Sequence, residues 1–77
     1  MNKSQRKQLN EWKEQLETIK SNLESMKDEE EDKLDNMPEG LQESERGEAM
    51  QSAIENLESA ASSLEEAIDY INEIVEG

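Results

Sequence analysis

The side chains in this sequence that could do chemistry are carboxylates. Of the 77 residues, 21 are Asp or Glu and 8 are Lys or Arg, and the chain has no Cys and no His. The usual zinc ligands, thiol nucleophiles and imidazole acid–base groups are therefore missing. There is also no glycine-rich phosphate loop and no nucleophile beside a suitable base. The sequence predicts no enzyme, with no catalytic, cofactor-binding or metal-binding residues.

The densest run of carboxylates is Asp28–Asp32. Hard divalent cations bind several carboxylate oxygens, but this run lacks the spacing and the closing Glu of a calcium loop. Paired helical glutamates can hold two iron ions in a bundle, but that site also needs the His of a Glu-x-x-His motif. We therefore interpret the run as a solvated helix face that is available to a protein partner.

A second set of carboxylates is spaced along one helix face, at steps of three and four residues. On a helix this spacing places neighbouring carboxylates about 4.5 to 6 Å apart along the axis, and DNA presents its phosphates with comparable regularity. Tyr70 lies beside this set as a contact anchor, since aromatic residues are enriched at binding hot spots. The alternative is an ordinary solvated face with no partner. The predicted partner-binding residues are Asp28, Glu29, Glu31, Asp32, Glu66, Asp69, Tyr70, Glu73 and Glu76.

The charge balance limits the possible partners. The net charge is -13, and such a surface repels phosphate backbones and anionic lipid. We therefore expect no direct nucleic acid and no membrane partner, but a basic protein, in particular one that handles nucleic acid. No apolar stretch is long enough to span a bilayer, and no signal-peptide core follows the first residues. The expectation is a soluble, intracellular protein.

Two periodic apolar stripes must position these charges. The low content of Leu, Ile and Val and the high net charge are typical of disorder, but steps of three and four residues indicate helices. The first stripe is Leu9, Trp12, Leu16, Ile19, Leu23 and Met26. The second stripe is Met50, Ile54, Leu57, Ala61, Leu64, Ile68, Ile71 and Val75. The pattern predicts an all-α protein.

The two stripes are separated by a helix break. Pro38 cannot donate a helical hydrogen bond, and Gly40 tolerates unusual backbone angles. The sequence predicts one domain over 1–77, a coiled-coil-like antiparallel hairpin with helices at about 4–35 and 45–76 and a loop at 36–44. Ser44 is the expected N-cap of the second helix, and Pro38–Gln42 is a candidate for one extra helical turn.

Folding the chain at Gly40 gives a predicted register. Trp12 then belongs to the core, and each apolar residue of the first helix meets one of the second. The predicted layers are Leu9 with Ile71, Trp12 with Ile68, Leu16 with Leu64, Ile19 with Ala61, Leu23 with Leu57 and Met26 with Ile54. The predicted flanking pairs are Lys13 with Glu65, Lys20 with Glu58 and Lys27 with Gln51. Pairing of each helix with another chain in an extended coiled coil, and disorder until binding, remain alternatives.

We make separate predictions for two residues that follow the loop. Arg46 is the only arginine of its region, and we expect it to pair with Glu43 or Asp35. Gly47 falls in the first turn of the second helix, where we expect it to allow close packing beside Lys33.

The second helix carries apolar residues beyond its seam. These residues are Ala53, Ala60, Ala67 and Ile74. One partner helix cannot cover this edge, and a two-helix unit of this size buries little. We therefore predict a homodimer in which two hairpins form a four-helix bundle through these residues. Docking of a different protein on the same edge is the alternative.

The loop and the start of the second helix carry a family resemblance. Asp35–Gln42 reads DNMPEGLQ, Ser44–Met50 reads SERGEAM, and Ala-Ile-x-x-Leu-Glu-x-Ala follows. The chain resembles small acidic helical proteins, without an assigned activity, of phages and prophages of low-GC Gram-positive bacteria. The resemblance implies a non-enzymatic accessory protein in the cytoplasm of a bacterial host, one that disarms a host nuclease or defence system. The resemblance assigns no functional role to any residue of this chain.

Two functions follow as expectations. The first is a modulator or inhibitor that binds a basic, nucleic-acid-handling protein through a DNA-mimicking acidic surface. The alternative is a structural module that acts through its own oligomerisation.

Overall fold

The chain folds into a helical hairpin. A computed structural model describes residues 1–77 and contains three helices, α1 (Lys3–Asp35), α2 (Glu39–Gln42) and α3 (Glu45–Glu76). α1 packs antiparallel to α3 in a rod whose Cα atoms extend over 58 × 14 × 14 Å. The predicted all-helical hairpin is confirmed, and α1 begins one residue earlier than expected.

The helix starts are capped by side chains. Asn2 and Gln5 form a capping box before α1, in which the Asn2 side chain accepts from the Gln5 N–H at 2.8 Å and the Gln5 side chain accepts from the Asn2 N–H at 3.1 Å. The Ser44 hydroxyl accepts from the Gly47 N–H at 3.3 Å, which confirms Ser44 as the N-cap of α3. Such caps satisfy backbone donors that a helix start leaves free.

The turn between the long helices is closed by Gln42. Its side-chain amide donates to the backbone carbonyls of Leu34 and Met37, at 3.1 and 3.0 Å. Gly47 is buried directly against the backbone of Leu41 and Gln42. Because these contacts tie both ends of the turn to Gln42, the hairpin reverses near this residue and not at Gly40.

The expectations for Arg46 and Gly47 were wrong in detail. Arg46 forms no ion pair with Glu43 or Asp35. Gly47 does allow a close approach, but its neighbour is the backbone of the short helix α2, whereas Lys33 is exposed and binds Glu30 at 3.1 Å.

The seam of α3 is the predicted apolar stripe, whereas the seam of α1 is not. All eight residues of the second stripe, from Met50 to Val75, are buried or half-buried. In α1, the half-buried residues that face α3 alternate between leucine and lysine: Leu9, Lys13, Leu16, Lys20, Leu23 and Lys27. The leucines are as predicted, but lysines occupy the positions that Trp12, Ile19 and Met26 were expected to fill.

The predicted register is therefore wrong. Lys13 donates to the Asn72 side chain at 2.9 Å, Lys20 binds Glu65 at 2.7 Å, and Lys27 lies 3.8 Å from Glu58. Each lysine meets the residue one heptad further along α3 than expected. The physical reason is the turn at Gln42, which shifts α3 along α1, together with a rotation of α1 about its own axis.

This rotation leaves a small core. Only Ala61 and Ile68 are buried apolar residues, at 8% and 6% exposure. Trp12, Ile19 and Met26 are 51%, 48% and 53% exposed, so the prediction that they form core layers was wrong. The hairpin by itself covers only part of its apolar surface.

Candidate functional site

One long side of the hairpin is an ion-pair face. Lys20 binds Glu24 at 2.8 Å within α1 and Glu65 at 2.7 Å across the seam. Lys27 repeats the arrangement one heptad later, with Glu31 at 3.5 Å and Glu58 at 3.8 Å. The lysine stems lie along the seam while their ammonium groups reach the solvent edge.

Lys20, the more closely paired of these two lysines, is protonated at neutral pH. Hydrogen bonds to Glu24 and then to Glu65 raise the pKa of the Lys20 ammonium above its ordinary value. Because this pKa is raised, the contribution of the Lys20 charge is fully present at neutral pH and is lost as the pH rises through that pKa in strongly alkaline solution. The carboxylate partners are more than half exposed, so these pairs orient the helices more than they stabilise them.

The opposite side of the hairpin carries no charge over most of its length. Since Glu24, Glu31, Glu58 and Glu65 all flank the seam on the ion-pair face, helical periodicity places the other flank of each helix on the far side. We call this side the uncharged face. It consists of Gln5, Gln8, Trp12, Gln15, Ile19, Asn22 and Met26 from α1 and Ala49, Ala53, Asn56, Ala60, Ser63, Ala67, Tyr70 and Ile74 from α3.

The lack of charge here contrasts with the rest of the molecule. Charged residues make up 38% of the chain, so fifteen surface positions of average composition would carry about six charges. All of these positions are exposed except Ala67, which is half-buried. An exposed face without charge that includes large apolar side chains is typical of a protein–protein interface.

The four predicted interface residues lie within this face. Ala53, Ala60, Ala67 and Ile74 are four of its eight α3 residues. Sequence reasoning missed the α1 half, because it placed Trp12, Ile19 and Met26 in the seam. Their seven-residue spacing, next to uncharged neighbours such as Gln15 and Asn22, is the signal that could have identified them.

The α3 carboxylates lie on the outer surface of that helix. Glu66, Asp69, Glu73 and Glu76 are all exposed and face away from the seam. The first three line a shallow open groove together with Tyr70, which is 68% exposed. Tyr70 therefore lies at the border between this acidic outer surface and the uncharged face.

The carboxylates of the run Asp28–Asp32 lie elsewhere on the rod. Asp28, Glu29 and Asp32 are exposed, while Glu31 is half-buried and paired with Lys27. Because the chain reverses near Gln42, the centre of this run lies roughly 25 Å along the rod from the centre of the α3 set at 1.5 Å per residue. The structure thus separates the predicted partner-binding residues into two groups.

The carboxylates do not converge on a point. No three of them come together in an arrangement that could hold a metal ion. Neither long helix includes an apolar segment of the length and hydropathy that crossing a membrane requires.

Comparisons with known proteins leave the family open. No family model matches the chain, and no curated protein or solved structure matches it significantly. The resemblance to phage and prophage proteins therefore stays a prediction.

Proposed function

We propose that this protein is a non-enzymatic interaction module that works as a pair of hairpins. The observation that carries the proposal is the uncharged face, where Trp12, Ile19 and Met26 lie beside the alanines of α3. Packing two such faces together would form a four-helix bundle, with a core between the hairpins in addition to the thin seam within each.

The extent of the face fits a stable pair. It runs along α3 from Ala49 to Ile74, about 38 Å, and two helices side by side are about 20 Å wide. The face therefore offers about 750 Å² per copy, close to the ~800 Å² that each partner contributes to a standard stable interface.

A second copy is the occupant that fits this face. A hairpin with only two buried apolar residues gains little from its own core, so a partner that is present whenever the chain is made would add to its stability. Two molecules of charge -13 repel each other, and they can approach closely only through a surface without charge. A basic partner would instead be attracted to the acidic surfaces.

The pairing is tested by placing a charge in the middle of the uncharged face. We expect Ala60→Glu to weaken dimerisation at least about 100-fold, because the interface would bury an unpaired carboxylate. Sedimentation equilibrium should give twice the 8.8 kDa chain mass for the wild type and the single-chain mass for the variant. Trp12, the only tryptophan, should show a blue-shifted emission in the dimer.

The matched control is Ser59→Glu, one residue away. Ser59 is exposed on the outer side of α3, so this variant adds the same charge and should remain dimeric. A wild type that stays at the single-chain mass at several hundred micromolar would contradict the proposal.

A second candidate function is favoured by the acidic outer surface of α3. Glu66, Asp69 and Glu73 are exposed at regular spacing beside Tyr70, and α3 contains no basic residue after Arg46. Such a surface attracts basic proteins that bind nucleic acid, with a strength that falls as salt rises. In this role the module would modulate or inhibit such a protein in the cytoplasm of a bacterial host, the context that the phage resemblance implies.

The acidic-surface hypothesis predicts a charge-reversal effect. Replacing Glu66, Asp69 and Glu73 by lysine should reduce capture of a basic partner at least 10-fold, since it reverses the attraction at the contact. The measurement is affinity capture from a Gram-positive host lysate at low and high salt, followed by mass spectrometry.

The control for that experiment reverses three other exposed carboxylates. Replacing Glu11, Glu14 and Glu17 of α1 by lysine makes the same change in net charge away from α3, and capture should persist. Circular dichroism must show equal helicity for both variants. Equal capture of the basic protein by the two variants would rule out a role for this surface.

A further inference from the structure

We infer that the two hairpins pair with their loops at opposite ends of the bundle. This inference rests on the pairing through the uncharged face proposed above, and it adds the orientation and the symmetry axis. Each α1 would then pack antiparallel to the α1 of the second copy, and each α3 to its counterpart.

The apolar residues of the uncharged face are arranged for this symmetry. In α1 they repeat every seven residues around Ile19, with Trp12 on one side and Met26 on the other. A twofold axis through Ile19, perpendicular to the helices, places Ile19 against Ile19 and Trp12 against Met26 of the other copy.

The stripe on α3 has its centre in the same cross-section. Its four residues, Ala53 to Ile74, are symmetric about a point between Ala60 and Ala67. The contact of Lys20 with Glu65 places that point within about 4 Å of Ile19 along the rod, at 1.5 Å per residue. A single twofold axis therefore places each stripe against the same stripe of the other copy. It places Ala60 against Ala67 and Ala53 against Ile74, as an isologous interface requires.

The charges of α1 favour the same arrangement. Its first turns carry Lys3, Arg6 and Lys7 with no acidic residue among residues 1–10, whereas residues 28–35 contain six acidic residues and one lysine. The axis through Ile19 places this basic end of α1 at the same end of the bundle as the acidic residues 28–35 of the other copy. Opposite charges therefore share each end of the bundle, and their attraction falls as salt rises.

The opposite orientation brings like charges together. An axis parallel to the helices would place both loops at one end, and it would bury the same apolar stripes by packing α1 on the α3 of the second copy. Apolar contact alone therefore does not choose between the two. However, residues 28–48 carry a net charge of -8, and two such segments side by side repel. Charge selects the arrangement with the loops apart.

Spin labels at the loop distinguish the two orientations. The chain has no Cys, and an added Cβ at Gly40 meets nothing within 4 Å, so Gly40→Cys is a suitable labelling site. The helical rise gives about 55 Å between the two labels with the loops at opposite ends, against about 10 to 20 Å with both loops at one end. Pulsed electron paramagnetic resonance measures both ranges.

A second label reports on pairing itself. Ser21→Cys is exposed on the outer side of α1, close to the proposed axis, and should give roughly 20 to 35 Å in either orientation. About 55 Å at residue 40 with a short distance at residue 21 is the expected result. Short distances at both sites would overturn the orientation while leaving the pairing intact. No defined distance at residue 21, with a single-chain mass, would overturn the pairing as well.

Discussion

Replacing Gly47 by alanine should lower the free energy of unfolding by about 2 to 3 kcal/mol. Gly47 is buried in the first turn of α3, and an added Cβ would meet the carbonyl oxygen of Gln42 and, at 2.7 Å, that of Leu41. Backbone atoms held in the short helix α2 cannot move aside as a flexible side chain could, so the turn must open. Thermal melts followed by circular dichroism should show a decrease in Tm of roughly 10 to 20 °C.

The matched control is Gly40→Ala in the same turn. Gly40 lies in α2 with nothing near its missing Cβ, so alanine should leave stability unchanged or raise it by about 0.4 to 1 kcal/mol. Equal losses at both positions would mean that backbone freedom, and not the close approach at Gly47, determines the stability of the turn.

Replacing Ile68 by alanine should lower the free energy of unfolding by about 2 to 4 kcal/mol. This loss is similar to the one expected for Gly47→Ala. Ile68 is the most buried apolar residue, at 6% exposure, and its side chain fills the seam opposite α1. Since only Ala61 accompanies it in the core, few other contacts can compensate. Urea unfolding, at protein concentrations low enough to keep the chain monomeric, should show a clearly lower midpoint.

Ile74→Ala provides the comparison on the same helix. Ile74 is 44% exposed on the uncharged face, so at low protein concentration its truncation should cost less than about 1 kcal/mol. At higher concentration its cost should grow, because the proposed pairing would bury it. If both isoleucine variants unfold at the same midpoint at low concentration, the seam is not where the structure places it.

Several features of the fold could be predicted from local sequence. The helix break at Pro38, the cap at Ser44, the extra turn that ends at Gln42 and the apolar stripe of α3 depend on residues close together in the chain. Backbone chemistry and helical periodicity determine such features, so the sequence pattern indicates them directly.

The rotation of α1 could not be predicted in this way. Its leucines belong to two overlapping stripes, one that includes Trp12, Ile19 and Met26 and one that includes the lysines. Hydropathy favours the first stripe, but long lysine stems also cover apolar surface and their ammonium groups reach glutamates on α3. Sequence periodicity shows that both stripes exist and does not rank them.

Of the two candidate surfaces, the acidic surface could be predicted from the sequence and the uncharged face could not. Carboxylates at helical spacing, such as Glu66 and Asp69, are expected on the outside of α3 from sequence alone, because charged side chains avoid burial. The uncharged face is different, since it combines residues of two helices whose relative rotation and offset must first be known. Only four of its residues, Ala53, Ala60, Ala67 and Ile74 of α3, were expected to form an interface.

The sequence by itself determined two amphipathic helices, a break between them and a strongly acidic chain. The tertiary structure decided which side of α1 meets α3, and therefore which residues are left exposed together. The physical reason is that the register of a hairpin depends on contacts between residues distant in sequence. Here the contacts of Gln42 and Gly47 position α3 along α1, and the lysine–glutamate pairs then turn Trp12, Ile19 and Met26 out to the uncharged face.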